Sequence, residues 1–351
     1  MQRIPLVQIG VGGVGRALLD LVLDNQDHWA TRDGFTFHYV ALADSRSLLA
    51  GDDLGPGVLR AALGQKAAGE PLGPGTGDWL GALPTTPALV VDVSASDATA
   101  PALVQAIERG HRVVLANKKP LTTTRALFYG LTEGRHTRFE ATVGAGLPVI
   151  TTLESILDTG DEVQEIAGCF SGTLGYVFTE LERGTPFSEA VLTARTRGWT
   201  EPDPRDDLGG VDVARKALIL ARTLGYQLML DDLPIEPLFS PDQAQLSLDA
   251  FLAALPTLDE SWAARMQTAQ AEGNTLRYVA TVGRSGTAVG VRSVPQRSAL
   301  GTLQGPDNFV QFTTTRYAEQ PIVVRGPGAG SERTAAAVLN DLLILARQMR
   351  S

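Results

Sequence analysis

The feature that most constrains this chain is a glycine cluster inside its first fifteen residues. An apolar run at residues 6–9 leads into Gly10-Val11-Gly12-Gly13-Val14-Gly15, and residues 16–23 carry apolar side chains at helical spacing. Strand, tight turn and helix in that order leave few folds open. Glycines at the first, third and sixth positions allow a sharp turn, close approach of backbone to a pyrophosphate, and close packing of helix on strand. The helix N-terminus then faces phosphate charge. Gly10, Gly12 and Gly15 are accordingly read as the core of a dinucleotide-binding loop.

The pattern continues as alternating strands and helices. Strands are expected at residues 35–43, 88–93, 112–116 and 137–141, with a helix at 100–109 closed by Gly110 and a Gly/Pro-rich surface loop at 68–87. That alternation predicts an α/β fold with a Rossmann-type, doubly wound parallel sheet. After about Pro148 the character changes. Helices are expected at 172–183, 187–197 and 211–224, and strands at 163–170, 276–282, 287–294, 310–314 and 322–324, making a second, mixed α+β domain. The expected organisation is a dinucleotide-binding domain at 1–148, completed by the C-terminal helix at 326–351, and a second, substrate-binding and dimerisation domain at 149–325.

A length of 351 residues suits two domains. The 30 basic and 39 acidic side chains give a net charge of -9, without basic runs, which argues against nucleic acid or an anionic membrane as partner. Apolar runs fall far short of the ~20 residues of a membrane span, and the N-terminus lacks a signal-peptide layout. A single cysteine excludes an internal disulfide and a cysteine-based zinc cluster, and suits a cytoplasmic setting.

Lysine is scarce. Of the 30 basic residues only Lys66, Lys118, Lys119 and Lys216 are lysine; the other 26 are arginine. Lysine can give up its proton when buried, whereas arginine effectively cannot, so the lysines form a shortlist for acid/base chemistry. Lys66 stands in a loop-like stretch and is left to the surface. Asn117-Lys118-Lys119-Pro120 follows a strand at the carboxyl edge of the sheet, where ligands bind in open α/β folds. Asp212 and Lys216 are spaced i, i+4 and share a helix face. They follow a dense polar stretch in which Asp206 and Asp207 are expected to cap the next helix. Asp44 ends the second strand, where an acidic residue bonds the ribose 2′-hydroxyl of NAD, although it lies 29 positions beyond Gly15 rather than ~20. Arg46 would instead suit the 2′-phosphate of NADP. Cys169 ends an apolar strand with no histidine close in sequence and reads as a core residue.

With Glu140-Ala141-Thr142-Val143-Gly144-Ala145-Gly146-Leu147-Pro148, Ser171-Gly172-Thr173-Leu174, Thr200-Glu201-Pro202-Asp203-Pro204-Arg205-Asp206-Asp207-Leu208 and Asp212-Val213-Ala214-Arg215-Lys216, the chain resembles the homoserine dehydrogenase family over nearly its whole length. That resemblance implies reduction of L-aspartate 4-semialdehyde to L-homoserine with NAD or NADP as cofactor, on the route to threonine and methionine. It implies cofactor contacts at Gly12, Gly13, Val14, Ser94 and Gly330, and catalysis by Lys118 and Lys216, with Lys216 the proton donor. Thr173, Glu201, Asp207 and Asp212 match substrate-site positions. Glu140, Val143, Ala145 and Leu147 match a monovalent cation site (sodium or potassium), mostly through backbone carbonyls. Trp199 stands where relatives carry Tyr, so a phenolic contact to substrate is not expected. A homodimer formed through the second domain is implied. The resemblance reaches no kinase before the chain and no small-molecule-sensing domain after it, so threonine feedback through such a module is not expected.

Two other readings compete. Aspartate-semialdehyde dehydrogenase chemistry would require an activated Cys169 thiolate, and a non-catalytic dinucleotide sensor would need no lysine–carboxylate cluster.

Overall fold

The computed structural model describes residues 1–350. The chain divides into two compact units, Met1–Pro148 with Gly330–Ser351, and Val149–Ala329.

The first unit is built on a six-stranded sheet. Its strands are β1 (Gln2–Ile9), β2 (Phe35–Ala43), β3 (Leu48–Leu54), β4 (Leu89–Asp92), β5 (Arg112–Leu115) and β6 (Thr137–Arg138). They lie in the order β3-β2-β1-β4-β5-β6. β2, β1, β4, β5 and β6 run parallel. The expectation of a wholly parallel sheet is corrected at one edge, because β3 pairs antiparallel with β2. Its exposed Gly51-Asp52-Asp53 centre hides it from a periodicity reading, since an edge strand needs to bury little. β4, β5 after Arg112 and β1 from Leu6 onward are buried throughout, as expected for parallel strands covered on both faces. The long spacing from Gly15 to Asp44 also has a cause. Between β1 and β2 the chain makes two helices, Gly13–Asp24 and Gln26–Asp33, where the shorter spacing allows one. The expected fifth strand at 137–141 shrinks to the two residues of β6, and Glu140–Thr142 forms a 3₁₀ turn. The C-terminal helix Ser331–Gln348 packs on helix Gly13–Asp24, with Leu342 and Leu345 fully buried in the same core as Leu18 and Leu19.

The second unit contains a five-stranded antiparallel sheet of β7 (Val163–Cys169), β8 (Asn274–Gly283), β9 (Gly286–Pro295), β10 (Asn308–Thr314) and β11 (Ile322–Gly326). The order is β11-β10-β7-β8-β9. Helices Gly172–Glu182, Val211–Thr223 and Asp259–Ala271 pack against it, with Phe178 of the first stacked on Tyr278 of β8. Gly326 is the last residue of β11 and pairs with Asn308, so residues 326–329 belong with this unit rather than the first. The helical segments at 241–271 were not singled out in the sequence; Asp259–Ala271 buries only Trp262, Met266 and Ala269 and so lacks a broad apolar stripe.

Candidate active site

In the first unit the expected cofactor residues gather at the carboxyl ends of β1, β4 and β5. Gly10 adopts φ +105°, and a Cβ there would lie 2.7 Å from Ser94 N and 2.8 Å from the Val93 carbonyl carbon. Only glycine brings the end of β1 this close to the β4 loop. A Cβ on Gly15 would collide with the Gly10 carbonyl oxygen. Helix Gly13–Asp24 begins after Gly12, and no side chain caps that terminus among the described residues. Uncapped first-turn amides beside bare glycine backbone are the donor set a pyrophosphate needs. Gly13 and Val14 form that first turn, and Gly13 lies against the start of the C-terminal helix. A Cβ on it would come within 2.6 Å of Ser331 Oγ, which places Gly330 beside the loop.

Lys118 stands three residues past the end of β5 and caps the short helix Lys119–Thr122. Its neighbourhood is fixed by a buried acid that sequence reading missed. Asp92, fully buried at the end of β4, accepts hydrogen bonds from Ser94 N (2.9 Å), Thr99 Oγ1 (2.7 Å) and Asn117 Nδ2 (3.0 Å). Asn117 also donates to the Ser96 carbonyl (2.5 Å) and accepts from Lys119 N (3.1 Å). One carboxylate thus ties the Ser94 loop to the segment carrying Lys118. The only sequence signal was an aspartate ending an otherwise apolar strand.

Asp44 stands at the end of β2, but its carboxylate is already engaged. Oδ1 accepts from Arg46 N (2.8 Å), Ser47 N (2.8 Å) and Ser47 Oγ (3.0 Å), and Oδ2 pairs with Lys66 Nζ at 2.5 Å. Burial would raise this carboxyl, but Lys66 and the amide donors outweigh it and hold it at about 2. The assignment of Lys66 to a surface loop is corrected here. It lies in helix Pro56–Ala67, started by a proline in its first turn, and is the ion-pair partner of Asp44.

The four residues matched to a cation site share one loop. Glu140 is buried at 3% exposure, and its N–H donates to Asp341 Oδ2 at 2.8 Å. Asp341, fully buried on the C-terminal helix, also accepts from Arg138 Nε at 2.8 Å. Beyond Val143, Gly144 and Ala145 both take positive φ, 84° and 53°, before Leu147. A non-glycine residue in that region is uncommon. Among the described residues no group of three His, Cys, Asp or Glu side chains could hold a metal. A single buried carboxylate with backbone carbonyls is a donor set suited to a hard, singly charged cation rather than to a transition metal.

In the second unit the predicted substrate residues converge where β7 passes into helix Gly172–Glu182. Thr173 Oγ1 bonds the Trp199 carbonyl (2.6 Å) and Asp207 Oδ1 (3.1 Å), while Asp207 Oδ2 accepts from Glu201 N (2.8 Å). Burial, followed by hydrogen bonds that partly offset it, leaves the Asp207 carboxyl above its usual range. Asp206 and Asp207 do not cap the following helix, as the sequence had suggested. They sit inside a separate helix, Arg205–Leu208, and Val211–Thr223 begins at Gly210 instead. Arg205 pairs with Asp203 (2.6 Å) and bonds the Ala244 and Leu246 carbonyls, fastening this loop. Lys216 Nζ donates to the Phe170 carbonyl (2.7 Å) and pairs with Asp212 (2.7 Å), its side chain 14% exposed. Phe170 lies just before the turn that delivers Thr173, so lysine, threonine and carboxylate share one corner. Trp199 joins through its carbonyl. Its half-exposed ring packs edge-on to Tyr176 (4.9 Å), under the Arg197 guanidinium (4.9 Å).

Cys169 is buried in β7, which pushes its thiol up to about 12. A thiol held in that state is not the activated nucleophile that semialdehyde dehydrogenation would need.

Comparison with known proteins places the whole chain in one family. The homoserine dehydrogenase family model matches residues 148–343, and the model of the homoserine dehydrogenase NAD binding domain matches residues 10–140. The chain is 34% identical over 359 residues to the homoserine dehydrogenase of Schizosaccharomyces pombe, covering 98% of this chain and 95% of that one. It is 44% identical over 273 residues to a bifunctional aspartokinase/homoserine dehydrogenase of Zea mays, covering 74% of this chain but 29% of that longer protein. A solved Candida auris protein of unknown function superposes with a TM-score of 0.87 at 29% identity, covering 99% of both chains. The chain belongs to the homoserine dehydrogenase family.

Proposed function

We propose that this chain reduces L-aspartate 4-semialdehyde to L-homoserine with NAD(P)H, serving threonine and methionine synthesis. The observation that carries the reading is the Lys216 corner: an ammonium held by the Phe170 carbonyl and Asp212, beside the Thr173–Asp207 pair. Bound in the glycine cradle, the reduced nicotinamide supplies the hydride. The chain supplies position, charge and a proton. Lys216 holds a proton at Nζ for the aldehyde oxygen as negative charge develops there. Asp212 orients that ammonium. Asp207 and Glu201 suit the substrate's own ammonium group, and Thr173 fixes the Asp207 carboxylate. Lys118 is assigned the electrostatic role in the first unit. Glu140, with the carbonyls of Val143, Ala145 and Leu147, would hold sodium or potassium and stiffen their loop.

The competing reading as a non-catalytic sensor leaves this lysine–carboxylate corner without a task. A steady-state assay with homoserine and each cofactor in turn, with and without sodium or potassium, tests the proposal. Lys216→Arg should lower kcat by about 10²–10⁴-fold while leaving cofactor binding intact. Near-wild-type kcat in that variant would remove Lys216 as proton donor.

A homodimer through the second unit fits the half-buried part of one sheet face, beyond the portion that Leu300 and Leu303 help to bury. Opposite the face that carries Tyr278 and the helices, Val323, Gln311, Ala167, Thr281 and Ala288 lie in register across all five strands. None of the five is fully buried. Short side chains at Ala167, Thr281 and Ala288, flanked by Gln311 and an exposed Val323, suit a self-complementary contact with a second copy.

A further inference from the structure

Gln8 is a polar residue in the middle of an apolar strand, and it is fully buried. Its side-chain amide reaches forward to the glycine loop that follows. Nε2 donates to the Gly10 carbonyl at 3.0 Å and to the Gly15 carbonyl at 2.9 Å, bridging the two ends of the turn. Oε1 accepts from the Tyr39 hydroxyl at 3.0 Å. Tyr39 belongs to β2, the neighbouring strand, and is itself 1% exposed. Burial, reinforced by the negative charge of Asp20, holds its phenol protonated, as a donor.

Both amide protons and the amide oxygen of Gln8 are therefore used, and each partner is main chain of the loop or a second buried side chain. A buried amide is costly unless satisfied, so this one has a fixed rotamer and a fixed orientation. The loop has little room to relax around it, because a Cβ on Gly15 would come within 3.0 Å of Nε2. Leucine or valine at position 8 would serve packing alone and would leave two loop carbonyls without this donor.

We infer that Gln8, held by Tyr39, is a positioning residue for the cofactor: its amide sets the distance between the Gly10 and Gly15 carbonyls and so aims the first-turn amides of helix Gly13–Asp24 at the pyrophosphate. The inference rests on the dinucleotide reading of that loop. Gln8 touches no reacting atom, so its removal weakens cofactor binding without changing the proton chemistry at Lys216.

The test is fluorescence titration of NADH and NADPH with the full chain and the variants Gln8→Leu and Tyr39→Phe, together with kcat and both KM values. Gln8→Leu should raise the cofactor dissociation constant and cofactor KM about ten-fold, with kcat and the semialdehyde KM within about two-fold. Tyr39→Phe, which removes one hydroxyl and keeps the ring, should shift the cofactor terms in the same direction by a smaller factor. It also keeps the test decisive if Gln8→Leu fails to fold. Unchanged cofactor affinity in folded variants, with only a lowered Tm, would overturn the positioning role and leave the dinucleotide reading standing. Absence of any NADH or NADPH binding by the wild-type chain would overturn both.

Discussion

Asn117 Nδ2 lies 3.0 Å from Asp92 Oδ2, joining the carboxyl ends of two adjacent parallel strands. The same carboxylate accepts from Ser94 N, so a residue of the expected cofactor site and the residue preceding Lys118 answer to one buried charge. Nothing in the local sequence of either strand specifies that link. It exists because β4 and β5 are neighbours of equal direction, which brings their C-terminal ends level.

Asp92→Ala should therefore damage activity more than its distance from the lysine suggests. It takes the close acceptor from the Thr99 hydroxyl and one of two close acceptors from the Asn117 amide, which keeps the Ser96 carbonyl, at a cost of about 1–3 kcal/mol for a buried donor left unpaired. We expect kcat/KM to fall by about 10²-fold through misplacement of Lys118. Thermal unfolding alongside steady-state kinetics checks this, and a loss of Tm with unchanged kcat/KM would contradict it.

Asp44 gives a pH-dependent contribution of known sign. Its folded carboxyl titrates at about 2, below the ordinary 3.8. The stabilisation it provides is complete above about pH 4 and is lost as pH falls toward 2. Asp44→Asn should thus flatten the acid limb of the stability curve between about pH 4 and 2. Lys66→Ala should do the same in part and cost about 1 kcal/mol at neutral pH, since Lys66 is one-third exposed. Denaturant titrations across that range measure both.

Asp341 reaches from the C-terminal helix to Arg138 and to the backbone of Glu140, some two hundred residues earlier. Asp341→Ala removes the carboxylate from Arg138, whose side chain is 16% exposed, and the acceptor from the buried Glu140 N–H. The expected loss is about 1–3 kcal/mol, because burial already pushes the Asp341 carboxyl up to about 6 and offsets part of its attraction to Arg138. Hydrogen exchange should show faster opening at residues 138–147 than elsewhere in the sheet, and uniform exchange would argue against the clamp.

Ala167 sits, half-buried, at the centre of that row on the second unit's sheet. Ala167→Arg places a long charged side chain where a second copy would need a flat surface. Light scattering should report a dimer for the wild-type chain and a monomer for the variant. A wild-type monomer at micromolar concentration would dismiss the sheet as an assembly surface.

The residue pattern alone specifies the glycine loop, the parallel strands β1, β2, β4 and β5, and the helix carrying Asp212 and Lys216. Those signals are local: a turn that only glycine can make, a run of apolar residues, a spacing of four on one helix. The pattern also marked Lys118 and Lys216, because in a chain otherwise supplied with arginine a lysine stands out. Tertiary structure alone decided what the carboxylates do. Asp44, at the position expected of a ribose ligand, is also tied to Lys66, 22 residues later in the chain. Asp92, Asp341 and Gln8 went unnoticed because their partners lie on other strands, on the last helix, or on the far side of a turn. A buried polar side chain is defined by what it faces across the fold, and burial makes that partner compulsory. Sequence shows which residues can carry charge or donate a hydrogen bond; packing decides which of them are free to meet a ligand and which are spent holding the site in shape.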